Sequence, residues 1–166
     1  MSQKNFYSKE AKDKIKELAE DIDFAMMCTN LKNVPFHAIP MSTKEVDEQG
    51  NIWFLSNKES HHTQHILKDN QVAVLYSKPG KMTFLKVYGR GEVISNKNRI
   101  EELYGTTDDA WFEGVNDPNL CALKIKPEEA EYWEPKHNKL VSLFKMAVGA
   151  LTDSEPDMGN TGSLNV

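Results

Sequence analysis

Three histidines fall close together in the chain, at His61, His62 and His65. On a helix, His61 and His65 stand four residues apart and share a face, which is the spacing of paired helical metal ligands. The glutamate of a His-Glu-x-x-His site is absent, because His62 occupies its place. A metal would need further ligands, and His37 and His137 could join only through folding. Polar or cationic surface histidines are the plainer reading. The same segment offers a second chemistry. It runs Phe54-Leu55-Ser56-Asn57-Lys58-Glu59-Ser60 into the histidines, so hydroxyl, ammonium and imidazole groups gather where a strand gives way to a helix. Free backbone N–H groups and the helix dipole at such a turn favour an anion. Ser60 supplies a hydroxyl, and His61 or His62 a charge-assisted bond when protonated. An ordinary capped helix explains the same residues without a ligand.

Other chemistries leave no trace. There is no Gly-x-Ser-x-Gly elbow, and Gly89-Arg90-Gly91 is too short for a dinucleotide fingerprint. Cys28 and Cys121 sit in apolar runs with no adjacent basic residue, so they read as reduced core thiols. Trp111, Phe112 and Trp133 lie outside the best strand patterns and could fill a core, line an interface or cap a flat ligand.

The elements that must position these residues follow from periodicity. Ser8 to Asp23 is helical, with Ala11, Ile15, Leu18, Ala19 and Ile22 on one stripe and Ser8 as a candidate cap. Phe24–Thr29, Pro35–Met41 and Ile52–Ser56 are strand-like and are expected to form an antiparallel meander. Ser60 to Asp69 is a short helix. Gln71–Tyr76 and Met82–Ile94 are strands joined at Pro79-Gly80, and the glycines at 89 and 91 mark a bulge or a close approach. Asn96 to Tyr104 is a second short helix. Leu120–Ile125 and Glu129–Trp133 are further strands, and 138–151 is helical by pattern. The segment after Thr152 is poor in apolar residues and is expected to be mobile. Residues 1–151 then form a single domain and 152–166 a tail. Tight turns between many strands favour an antiparallel barrel over a parallel sheet.

The 166 residues suffice for a real core, and a formal net charge of −5 is no match for nucleic acid or an anionic membrane. The first residues hold no apolar signal stretch, and no run approaches the length of a membrane span, so a cytoplasmic location is expected.

The order of several short segments resembles the general stress protein branch of the pyridoxamine 5′-phosphate oxidase-like flavoproteins. They are Ile39-Pro40-Met41, Gly50-Asn51-Ile52-Trp53-Phe54-Leu55-Ser56, Ser60-His61-His62, Val87-Tyr88-Gly89-Arg90-Gly91-Glu92-Val93, Trp111-Phe112-Glu113-Gly114 with Asp117-Pro118, and Glu131-Tyr132-Trp133. The resemblance spans about Ala11 to Trp133. It implies a mostly β fold with flanking helices, an antiparallel split β-barrel, and a homodimer holding FMN at its interface. It further implies that Ile39, Pro40, Met41 and Ser42 follow the isoalloxazine ring and that Leu55 and Ser56 join from the next strand. Ser60, His61 and His62 would take the phosphate, and Trp111 would reach the ring from the partner chain. A small-molecule redox partner is implied, with FMN as the cofactor of an oxidoreductase, whereas pyridoxamine phosphate oxidase activity itself is not carried over.

Two positions depart from the family pattern. Ile39 stands where an arginine is usual, and His62 where a lysine is usual. One charge-assisted phosphate contact is worth about 1.5–3 kcal/mol, or about tenfold to a hundredfold in affinity. Lys44, Lys58 and Lys86 are candidates to replace it. A split barrel that binds something other than flavin is therefore the alternative.

Overall fold

The computed structural model describes residues 2–4, 6–135 and 159–166. The expected helix over 138–151 and the first part of the expected tail, 152–158, lie outside the described residues.

In chain order the described elements are strands β1 (Ser2–Gln3) and β2 (Phe6–Tyr7), helix α1 (Ser8–Ile22), and strands β3 (Phe24–Thr29), β4 (His37–Ser42), β5 (Glu45–Val46) and β6 (Ile52–Asn57). Helix α2 (His61–Lys68) follows, then β7 (Gln71–Lys78), β8 (Thr83–Ile94), helix α3 (Lys97–Leu103), β9 (Leu120–Pro135) and β10 (Gly159–Asn165). The strands form one curled, largely antiparallel sheet in the order β1-β10-β9-β8-β7-β3-β4, with β6 paired to β9 and β5 to β6.

Apolar spacing sets α1. Ala11, Ile15, Leu18 and Ala19 are its buried residues, one stripe at helical period, and they merge with Met27, Val74, Leu85 and Tyr132 of the sheet in the main core. A second, smaller core lies between β6, β9 and α3, built from Trp53, Leu55, Ile100, Leu103, Leu120 and Ala122.

The expected meander holds only in part. β3 and β4 pair antiparallel, but β6 pairs with β9, from Ile52↔Ile125 to Asn57↔Leu120. The reason is burial on both faces. Ile52 and Phe54 enter the main core while Trp53 and Leu55 enter the second, so β6 must lie between two covering layers. β4 is left at the edge of the sheet.

The segments 120–125 and 129–133 are one continuous strand, β9. A register shift at Tyr88/Gly89 accommodates the chain near Pro127. A Cβ on Gly89 would stand 2.1 Å from the Lys126 carbonyl oxygen, so the bulge excludes a side chain. Gly91 lets α2 approach β8: a Cβ there would meet Ile66 Cγ2 and Val72 Cγ2 at 3.0 Å.

Residues 159–165, expected within a mobile tail, form β10. It pairs antiparallel with β9 and parallel with β1 and β2. Its hold is mainly a backbone ladder, with Leu164 as its core anchor, and apolar counting does not detect a strand of that kind.

Candidate functional site

Helix α2 leaves β6 through a short polar turn. Ser60 caps it: the Thr63 N–H donates to Ser60 Oγ at 3.4 Å. Ser60 Oγ itself donates to the Asn57 carbonyl at 2.7 Å. Ser56 Oγ lies 2.7 Å from His62 Nε2 and 2.9 Å from Thr63 Oγ1. The Cys121 thiol donates to the Ser56 carbonyl at 3.4 Å. These groups are buried or nearly so, and each is satisfied by another member of the set.

Burial governs their ionisation. His62 is pushed down to about 4, first by loss of hydration and then by the neighbouring His37, His65 and His61. It is therefore neutral near neutral pH. His65 is lowered for the same reasons, with Lys68 adding to the effect. Burial pushes the Cys121 thiol up to about 11, which removes thiolate chemistry. Cys28 is also buried and raised, and neither cysteine is in a disulfide, as their apolar settings predict.

His37 completes the cluster. It starts β4, and folding carries it to the face of α2. Its ring centroid is 5.4 Å from that of His65, 6.1 Å from His61 and 6.3 Å from His62, the last pair being stacked. His65 Nδ1 lies 3.1 Å from Thr29 Oγ1. Among the described residues, no carboxylate pairs with any of these four histidines. Nor is any group of three or more His, Cys, Asp or Glu residues arranged there to hold a metal ion.

β4 leads away from this cluster along the sheet edge. Ile39 and Met41 pack against the main core, Pro40 faces outward, and Ser42 Oγ donates to Asp23 Oδ1 at 2.7 Å. Proline is tolerated here because an edge strand does not need every N–H for its ladder. The sequence-derived residues thus divide. Ser56, Ser60, His61 and His62 meet at one turn, and 39–42 lie on the strand that begins beside it. Leu55 is buried in the second core, on the opposite face of β6 from Ser56. Trp111 is 79% exposed and lines a separate cavity of about 460 Å³ with Asn57, Asp109, Asp117 and Asn119.

The candidate compensating cations are committed elsewhere. Lys44 pairs with Asp108 at 2.7 Å, Lys86 pairs with Glu131 at 2.7 Å, and Lys58 donates to the Pro118 carbonyl at 2.7 Å. Thr29 and Cys121 carry no sequence signal that places them beside the turn, whereas His37, which could join the other histidines only through folding, does so. Only the type of His37 hinted at a role, since its place depends on the β3–β4 pairing.

Comparison with known proteins agrees with this architecture. The family model described as pyridoxamine 5′-phosphate oxidase like matches residues 10–157. General stress protein 26 of Bacillus subtilis (strain 168) is 26% identical over 95 residues, covering 55% of this chain and 68% of that protein. The structure of a general stress protein 26 from Jannaschia sp. CCS1 superposes with a TM-score of 0.75 at 24% identity, covering 95% of this chain and 98% of the other. The structure of a protein described as a general stress FMN/FAD binding protein, from Xanthomonas citri, gives a TM-score of 0.65 at 23% identity, over 76% of this chain and 90% of that one.

Proposed function

Because the chain belongs to the pyridoxamine 5′-phosphate oxidase-like family, in its general stress protein branch, we propose that it binds a flavin as a homodimer and serves as a flavin-dependent oxidoreductase. FMN is the form proposed, in keeping with the description of the Xanthomonas citri relative as FMN/FAD binding. The observation that carries the reading is continuity: edge strand β4 begins at His37, next to the polar turn at Ser60, His61 and His62. A strand edge offers backbone donors and acceptors to the polar rim of an isoalloxazine, and the turn offers hydrogen-bonding groups to a phosphate. A bound flavin would supply the hydride chemistry. The chain's own part is to hold the ring along 39–42 and the phosphate at 60–62.

A second copy has a surface to meet. On β3, β7 and β8 the side chains of Phe24, Met26, Leu75 and Phe84 are exposed, and Met26 and Leu75 are cross-strand partners. An apolar sheet face of this kind favours association. Trp111 is free to extend toward a flavin on the partner. The two unpaired thiols suit the reducing cytoplasm proposed as the location.

One observation favours a barrel that binds no flavin: the Ser60 hydroxyl and the His62 ring are both turned onto Ser56 or its turn. Two measurements separate the readings. Quenching of flavin fluorescence should report saturable FMN binding. Sedimentation should report a dimer that the double variant Phe24→Glu, Met26→Glu converts to monomer with loss of binding. A monomer that never quenches flavin leaves the flavin-free barrel.

A further inference from the structure

Among the described residues, the side chains of His37 and His61 make no hydrogen bond or ion pair, although their rings are only 6.1 Å apart. They come from different elements, β4 and α2, and they flank the same polar turn. The other two imidazoles are engaged: His62 through Nε2 with Ser56, and His65 through Nδ1 with Thr29. We propose that His37 and His61 form a proton-gated site for a phosphate-type anion, with His37 as a binding residue that the sequence pattern does not announce. The proposal rests on the flavin reading where it names the FMN phosphate as the occupant.

The chemistry follows from what surrounds the pair. A phosphate dianion needs positive charge, and among the described residues Lys32, Lys86 and Arg90, around the cluster, are each paired with a carboxylate. On the loop and β3 side, Lys32 pairs with Asp69 at 2.8 Å, and Thr29 and the buried Cys28 are uncharged. On β8, Lys86 pairs with Glu131, Arg90 with Glu128, and Glu92 with Lys124. On the turn before α2, Lys58 is held by the Pro118 carbonyl and Glu59 is exposed; Lys68 is exposed at the far end of α2. Lys58 and Lys68 carry no carboxylate partner among the described residues, and imidazolium at His37 and His61 adds the part of the grip that depends on pH.

Burial first, and the neighbouring imidazoles second, lower His62 and His65, so protons there are disfavoured when no anion is present. An anion between His37 and His61 reverses the balance, because opposite charge favours the protonated form. Binding then takes up protons, and affinity rises as pH falls. His62 stays neutral and keeps the turn in shape.

Two titrations test this. FMN and riboflavin dissociation constants are measured from about pH 8 to about pH 6, across the ordinary histidine range. FMN binding should tighten by about tenfold while riboflavin stays level, and His37→Gln should flatten the FMN curve. A level FMN curve, or a riboflavin curve that climbs with it, overturns the proton-gated site and leaves the flavin reading standing. If neither flavin binds at any pH, the flavin reading fails. The second titration then decides the site alone: histidine proton resonances are followed against pH with and without inorganic phosphate. Midpoints of His37 and His61 that rise with phosphate support the site, and midpoints that do not move overturn it.

Discussion

Two polar patches flank β6, one at each of its faces. At one, Ser56 and Ser60 hold the neutral imidazole of His62, and His37, His61 and His65 gather beside it. At the other, permanent charges close on one another. Arg99 lies 4.2 Å over the Trp53 ring and pairs with Glu45 and Glu102, while Lys44 pairs with Asp108. Asp108 Oδ2 also accepts the Gly105 N–H at 2.8 Å. In the second patch each cation is answered by at least one carboxylate, and the patch acts as a brace under the second core. The first carries conditional charge with no carboxylate partner among the described residues, so its state is open to a proton or an anion. The two patches differ less in their place in the fold than in whether an opposite charge answers their polar groups.

The sharpest way to break that contrast is to unpair the brace. Asp108→Ala strands the largely buried Lys44 ammonium and removes the turn cap, and should cost about 3–5 kcal/mol in urea unfolding. A loss under about 1 kcal/mol would mean that the pair is solvated and the contrast false.

Acid should act on the histidine patch. His62 has a folded pKa of about 4 against an ordinary 6.5. The unfolded chain therefore takes the proton first. Stability from this residue is complete above pH 6.5 and drains as pH falls toward 4, by about 3 kcal/mol at most. Urea midpoints across that window should show the slope in the wild type, and His62→Gln should lack this share of it. An unchanged slope in the variant assigns the acid sensitivity elsewhere.

Smaller effects grade the two patches further. Arg99→Ala loses its stacking on Trp53 and its carboxylate contacts, for about 1–2 kcal/mol of unfolding free energy. Ser60→Ala removes the α2 cap, for about 1 kcal/mol in the same assay.

The sequence carries the elements more clearly than their neighbours. Ala11 to Ile22 announces its helix because one face is apolar and the other charged. Strand β6 announces itself by bulk, but its pairing with β9 is invisible locally, since a strand buried on both faces has no alternation to show which side meets what. Strand β10 is hidden for the opposite reason, its ladder being made by a Gly-, Asn- and Ser-rich segment. The turn at Ser60 to His62 is legible because capping chemistry is local. His37 is not, because its place beside α2 depends on long-range strand pairing.

Flavin binding is tested most directly by the visible absorption spectrum of the concentrated protein at about pH 6.5, near the ordinary histidine pKa. Spectra are taken before and after incubation with excess FMN and removal of unbound flavin by desalting. A retained flavin band, weaker in His61→Gln, is the predicted result. A colourless protein after reconstitution would contradict it.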